Sequence, residues 1–211
     1  MTNVVAARRC PEFFYFDMGN VLLDFDHEIA CRRVAALTGL PADIVRHAIF
    51  QSGLELRYER GELTTEEFHA EFCQATGARL AVGELALACS DIFTLKAEMP
   101  AILAALQSAG RRVGLLSNTC DAHWRFVYPF RYPDMWRGFE TFALSFELKA
   151  LKPEPQIYRQ AAALAGVPLE GLFFIDDRAD NVTQALELGM DALLFESPGQ
   201  LARELTLRGA L

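Results

Sequence analysis

The chain has no CxxC pair, no cluster of histidine with cysteine, no block of basic residues and no long apolar run, and each absence closes off a class of function. Its five cysteines (Cys10, Cys31, Cys73, Cys89 and Cys120) are odd in number and far apart, so neither a disulfide framework nor a zinc site is expected. Lys and Arg are scattered in a chain of net charge -8. Phosphate contacts drive nucleic-acid affinity, so no nucleic-acid partner is expected. The first residues lack the apolar core of a signal peptide, and no apolar stretch reaches about 18 residues, so no membrane partner is expected and a cytoplasmic location is. Oligomeric state is not encoded in any pattern.

What remains is a globular composition, 52% hydrophobic and 23% charged over 211 residues, enough for a core domain with a modest insertion. Short apolar runs without alternation recur along the chain: Phe13–Phe16, Val113–Leu116, Thr141–Leu144, Leu172–Ile175 and Ala192–Phe195. Such runs suit strands covered on both faces, as in a parallel sheet. Helical patterns lie between them at Pro100–Ala109, Gln156–Ala165 and Asn181–Leu188, each followed by a glycine (Gly110, Gly166, Gly189). The alternation predicts a doubly wound α/β sheet.

From about Glu28 to Ser90 the rhythm breaks and only helices are expected, over Ile29–Leu37, Asp43–Phe50, Glu66–Thr76 and Gly83–Cys89. Thr64 or Thr65 before Glu67 marks a helix start. The simplest organisation is a core of residues 1–25 and 92–211, with residues 26–91 inserted as a helical cap over the strand ends.

Ligands of open α/β sheets bind beyond the carboxyl ends of the strands, and four polar motifs fall there. Asp17 ends the first run in FDMGN; Ser117 and Asn118 end the second; Lys152 precedes Pro153; Asp176 and Asp177 end the fourth run in IDDRADN. Each alone also suits ordinary turn or cap chemistry, or for Lys152 a solvated surface. Pro153 favours an extended Lys152 and a helix starting just after it. Asp180 and Asn181 open the next helix as cap or supporting groups. The joint order of acid, Ser-Asn, Lys-Pro and Asp-Asp is what points to a site.

That order resembles the four motifs of the haloacid dehalogenase-like (HAD) hydrolases, and the helical stretch resembles their C1-type cap. FDMGNVLLDFD, YERGELTTEEF, LLSNT, KPEPQIY and DDRADN are most similar to the α-D-glucose-1-phosphate phosphatases, with the phosphatase domain of soluble epoxide hydrolase a more distant relative. The resemblance implies a Rossmann-like core and a Mg²⁺-dependent phosphatase working through an aspartyl-phosphate on a small phosphorylated metabolite, such as a hexose-1-phosphate. Asp17 is then the nucleophile and a metal ligand, with the Gly19 carbonyl and Asp177 as further ligands and Asp176 direct or indirect. Ser117 and Asn118 are implied to hold phosphate oxygens, and Lys152 to orient Asp17.

Two positions depart from the family. Gly19 stands where most such phosphatases carry a second aspartate as general acid, a role worth about 10²–10⁴-fold; the glucose-1-phosphate subgroup is similar in having glycine there. Lys149 stands where relatives often have glycine, which puts the local turn in question and adds a charge. A 2-haloacid dehalogenase, which works without metal, is the alternative enzyme, though the acid pair argues for a cation. A catalytically impaired binding protein of the same fold is the other alternative. A phospho-acceptor receiver module fits poorly, since its acid pair follows the first strand. The segment Tyr58–Glu62 is the expected specificity loop, with Arg57 or Arg60 facing an anionic group or solvent. His27 and Cys120 have no assigned role.

Overall fold

The computed structural model describes residues 10–211. Five parallel strands form its centre in the order β5-β4-β1-β6-β7: β1 (Phe13–Phe16), β4 (Val113–Ser117), β5 (Phe139–Leu144), β6 (Leu172–Asp176) and β7 (Asp191–Leu194). Every apolar run singled out in the sequence is one of these strands. β1 is buried along its whole length because both faces of the sheet are covered. Phe14 and Phe16 pack on one face with Val113, Leu115, Phe173 and Ile175, whereas Phe13 and Tyr15 pack on the other with Leu116, Phe174 and Ile157. Alternate residues of a strand point to opposite faces, so one four-residue segment nucleates two cores. The Tyr15 hydroxyl, buried in the second, donates to the Ala161 carbonyl at 2.8 Å.

The chain leaves β1 through a tight turn into β2 (Leu23–Phe25), then runs through α1 (His27–Thr38), α2 (Ala42–Arg46), α3 (Leu54–Glu59), α4 (Thr65–Thr76) and α5 (Val82–Ser90). It returns through β3 (Phe93–Leu95), which pairs antiparallel with β2. The helical insertion therefore hangs from a two-stranded ribbon, which the sequence reading did not anticipate; nor did it anticipate α3. Thr64 caps α4 in a reciprocal capping box with Glu67, as the sequence indicates. The insertion has its own apolar cluster, including Val34, Ile49, Phe68, Phe72 and Leu85.

The remaining helices are α6 (Met99–Ser108), α7 (Asp121–Arg125), α8 (Ser145–Leu148), α9 (Pro155–Ala165), α10 (Ala179–Glu187) and α11 (Pro198–Leu207). α9 begins at Pro155 rather than directly after Pro153, and the Lys152–Pro153 peptide is cis. No helix among the described residues is long and apolar enough to cross a membrane.

A set of polar contacts seats the end of α3 on the core. The Ser145 hydroxyl donates to the Glu59 carbonyl at 2.6 Å, and the Ala122 N–H donates to the Tyr58 hydroxyl at 3.0 Å. Arg60 forms a bidentate pair with Glu154, at 2.9 and 2.5 Å. Lys149 Nζ donates to the Gly61 carbonyl at 2.5 Å. Lys149 itself adopts the left-handed backbone (φ 55°) that a glycine would favour, so the turn survives and its ammonium faces the Gly61 loop.

Gly61 also has positive φ, 70°, and a Cβ there would lie 2.0 Å from the Phe146 carbonyl oxygen. Left-handed backbone at a non-glycine residue costs about 1–3 kcal/mol, and the overlap adds to it. Gly61→Ala is therefore expected to lower the stability measured by urea unfolding by about 2 kcal/mol or more.

Candidate active site

Sheet order does most of the work of assembling the site. β1 lies between β4 and β6 in register, with Phe16 opposite both Leu115 and Ile175. The residues at or just past these strand ends therefore meet: Asp17 from β1, Asn118 from β4, and Asp176 with Asp177 from β6. The Asp17 N–H donates to the Ile175 carbonyl at 2.9 Å, which continues the ladder to the turn and holds the carboxylate at the strand edge.

Lys152 reaches this point from the loop before α9. Its ammonium lies 2.9 Å from Asp17 Oδ1 and 2.6 Å from Asp176 Oδ2, and donates to the Leu116 carbonyl at 3.0 Å. The side chain is 1% exposed. Burial pulls its pKa down, but the two carboxylates more than offset this, and the net direction is upward. Asp17 shows the converse balance. Burial raises its pKa and Lys152 opposes the rise, leaving it at about 6.

Asp176 is fully buried and saturated. Oδ1 accepts from the Arg178 N–H (2.8 Å) and Asn181 Nδ2 (3.0 Å), and Oδ2 accepts from Lys152 and Asn181 Nδ2 (3.1 Å). Asp177 is more open and accepts from Asn20 Nδ2 at 2.9 Å. One carboxylate oxygen from each of Asp17, Asp176 and Asp177 lies within 4.8 Å of the others. Hard oxygen donors at this spacing fit Mg²⁺, which takes one or two carboxylates and otherwise water or phosphate. The bonding already present sorts them: Asp17 and Asp177 have acceptor capacity facing the cavity, whereas Asp176 is committed to its neighbours.

Asn118 and Ser117 differ in placement. The Asn118 amide clamps the Lys152 backbone, accepting its N–H at 2.8 Å and donating to its carbonyl at 3.0 Å. One amide hydrogen is left for a ligand. Ser117 is buried at the end of β4, and its hydroxyl beside Asp17 favours the charged carboxylate.

Above these groups lies a cavity of about 390 Å³, lined by Asp17, Gly19, Asn118, Lys152 and Asp177 below and by α3 above. α3 contributes Glu55, Leu56 and Glu59. Arg57 and Arg60 do not line it, since they pair with Glu71 and Glu154. The expected loop thus supplies one carboxylate, Glu59, while its arginines face elsewhere. Burial raises the pKa of Glu59 to about 7, with Asp17 adding to the rise. Glu55 is raised too, by burial and by Glu59, and lies 3.5 Å from His27 Nε2. His27 stacks on Phe50, and His123, its pKa lowered to about 4 by burial, packs edge-on against Phe93. Cys120 is buried in the apolar cluster of the insertion. Glu55 and Glu59 escaped sequence reading because they belong to no motif; their spacing of four residues places them on one helix face, but only the fold shows what that face covers. A larger hollow of about 660 Å³ lies beside residues 61–67 and contains none of the strand-end groups.

A family model described as haloacid dehalogenase-like hydrolase matches residues 13–189. The chain is 26% identical over 199 residues to a D-ribitol-5-phosphate phosphatase of Bacteroides thetaiotaomicron, covering 91% of this chain and 95% of that protein. It is 28% identical over 219 residues to the phosphatase MT3486 of Mycobacterium tuberculosis, covering 93% and 94%. A HAD family enzyme of Bacteroides thetaiotaomicron, solved with magnesium and inorganic phosphate, superposes with a TM-score of 0.75 at 26% identity, covering 90% of this chain and 98% of that one.

The place where a second aspartate would stand is sterically closed. A Cβ on Gly19 would sit 2.7 Å from Phe25 Cε1. Overpacking of this kind costs about 1–3 kcal/mol. Gly19→Ala is expected to lower stability by that amount in thermal unfolding, and Phe25→Leu in the same chain to return part of it, a coupling that a double-mutant cycle reads directly.

Proposed function

The chain belongs to the haloacid dehalogenase-like hydrolases, and we propose that it acts on phosphate monoesters, as a phosphatase of small polyol or sugar phosphates that works through a phosphoaspartate on Asp17. The observation that carries the reading is the placement of Asp17 against a buried Lys152 and beside Asp176 and Asp177, at the floor of one cavity.

Asp17, Asp177 and the Gly19 carbonyl would hold Mg²⁺, with Asp176 behind them, and the bound ion would supply positive charge that offsets the repulsion between carboxylate and phosphoryl oxygens. The protein's own residues do the rest. An Asp17 carboxylate oxygen attacks phosphorus, the bond to the leaving oxygen breaks, and water then cleaves the acyl phosphate to return Asp17. Lys152 holds the nucleophile in one orientation and balances charge as it shifts to the phosphoryl oxygens. Asn118 fixes Lys152 through its backbone and offers its remaining amide hydrogen to phosphate, with Ser117 supporting Asp17 from below.

The organisation we infer keeps residues 1–25 and 92–211 as the core and 26–91 as the cap; the first nine residues of that range lie outside the described ones. Cavity size and charge both bear on the substrate. About 390 Å³ suits a small molecule. Glu55 and Glu59 in the roof offer hydrogen bonds to hydroxyls, and α3 brings no cation to the cavity for a second anionic group, which matches neutral polyhydroxylated leaving groups. This widens the hexose-1-phosphate expectation to the class of hydroxylated monophosphates. A dehalogenase reading finds no use for Asp177 facing the cavity.

Incubation with hydroxylated monophosphates and Mg²⁺ is expected to release inorganic phosphate, and chelation of the metal to abolish release. Asp17→Asn is expected to lower turnover by about 10³-fold or more. Release of fluoride from fluoroacetate, with no phosphate released from any ester, would overturn the assignment.

A further inference from the structure

Gly19 leaves the first turn without a proton donor, and Phe25 closes the space in which one would stand. The leaving alkoxide of a sugar or polyol still needs a proton, because it is a poor leaving group without one. Among the described residues, those lining the cavity that can carry a proton are few. Lys152 is held between two carboxylates and a carbonyl. Asp177 faces the cation site and is bonded by Asn20. His123 is neutral and packed against Phe93, and His27 is stacked on Phe50 beside Glu55. Arg178 also lines the cavity, but its pairing with Asp180 raises its pKa and it keeps its proton, which leaves the two glutamates of α3.

They are not equivalent. Glu55 has His27 within 3.5 Å, and its principal electrostatic neighbour is Glu59. Glu59 lines the same cavity as Asp17, Lys152 and Arg178, and the charges of these three groups act on it. Its carboxyl makes no hydrogen bond or ion pair with any described residue, although its backbone is fixed. The Ser145 hydroxyl holds its carbonyl, and the Arg60–Glu154 pair anchors the next residue. A free carboxyl on a tethered backbone, lining the cavity that the nucleophile also lines, is what a proton donor to the leaving oxygen requires.

We propose that Glu59 of the cap is the general acid and base of this enzyme, in the place that Gly19 leaves empty. The assignment rests on the phosphatase reading above. In the first step the Asp17–phosphorus bond forms, the bond from phosphorus to the leaving oxygen breaks with its electron pair on that oxygen, and the Glu59 proton passes to it. In the second, water attacks phosphorus from the vacated side and gives its proton to the Glu59 carboxylate. The phosphorus–Asp17 bond then breaks, returning both side chains to their starting states. Burial favours the protonated form that the first step needs.

A general acid matters in proportion to how poor the leaving group is, and the test uses that dependence. Glu59→Gln keeps shape and removes the proton. It should be compared with wild type, with Mg²⁺, on ribitol 5-phosphate and on 4-nitrophenyl phosphate, whose phenolate leaves readily unprotonated. The expected result is a loss on the alkyl ester that exceeds the loss in the nitrophenolate burst by about 10²-fold or more, with burst kinetics exposing the slowed second step. Equal loss on both esters, or a selective loss in Glu55→Gln instead, would overturn the assignment. Should Glu59→Gln fail to fold by its thermal transition, Glu59→Asp, which keeps the acid but shortens its reach, decides by the same ratio. Wild type inactive on both esters would sink the phosphatase reading and this assignment together, whereas wild-type activity with an unselective variant sinks this assignment alone.

Discussion

The Lys152 ammonium lies out of reach of water, between Asp17 and Asp176, and much of the architecture serves that position. Removing one partner of a buried ion pair costs about 3–5 kcal/mol, because the survivor is left charged in a poor solvent. The three groups come from three separate parts of the sequence, so they meet only if β1 lies between β4 and β6 and the loop before α9 crosses beneath them. The Asn118 amide fastens that loop by its backbone, and Asn181 with the Arg178 N–H fastens Asp176. The cluster of one cation and two carboxylates retains a net negative charge toward the cavity, which is where a cation and a phosphoryl group complete the balance.

The roof of the cavity is acidic for a different reason. Its two glutamates project from a short helix whose other face is committed to packing: Leu54 and Tyr58 are buried in the apolar cluster of the cap. Arg57 and Arg60, which would otherwise make the roof cationic, are drawn away by Glu71 and Glu154. On the proposed function, selectivity comes from polar placement as much as from shape. A floor that takes one phosphoryl group sits beneath a stretch of α3 that brings no cation for a second, and hydroxyls are compatible with both.

Much of the core was legible in the sequence because its signals are local. Phe13–Phe16 and Leu172–Ile175 are apolar runs that only a doubly covered strand accommodates, and the polar residues ending them must then share one edge of the sheet. The ribbon of Leu23–Phe25 with Phe93–Leu95 was not legible, since three-residue strands separated by the whole cap carry no periodicity. α3 was missed because ELRYE, with a single buried aromatic, reads as a polar loop. Asn118 reads as a phosphate ligand by residue type, and the structure shows that one of its two amide hydrogens and its amide oxygen also bind the Lys152 backbone, a second duty that only coordinates reveal. The left-handed backbone at Lys149 was flagged by its departure from glycine, and the structure shows lysine accepting the strain while bonding to the cap.

Placing the proton donor on the cap changes what cap seating means. An acid on the β1 turn would stand beside the nucleophile whether or not the cap were docked. Ser145 at its carbonyl and the Arg60–Glu154 pair beside it hold Glu59 in the cavity that Asp17 lines, so the proposed proton transfer requires a seated cap. A seated cap also excludes bulk water, and a low local dielectric strengthens the attraction among the charges inside. Chemistry, water exclusion and substrate contact thus depend on the same few polar bonds at residues 58–61. Loss of any of them should slow the leaving-group step more than it weakens phosphate binding, since in the proposed arrangement the strand ends take the phosphate and the cap faces the leaving group.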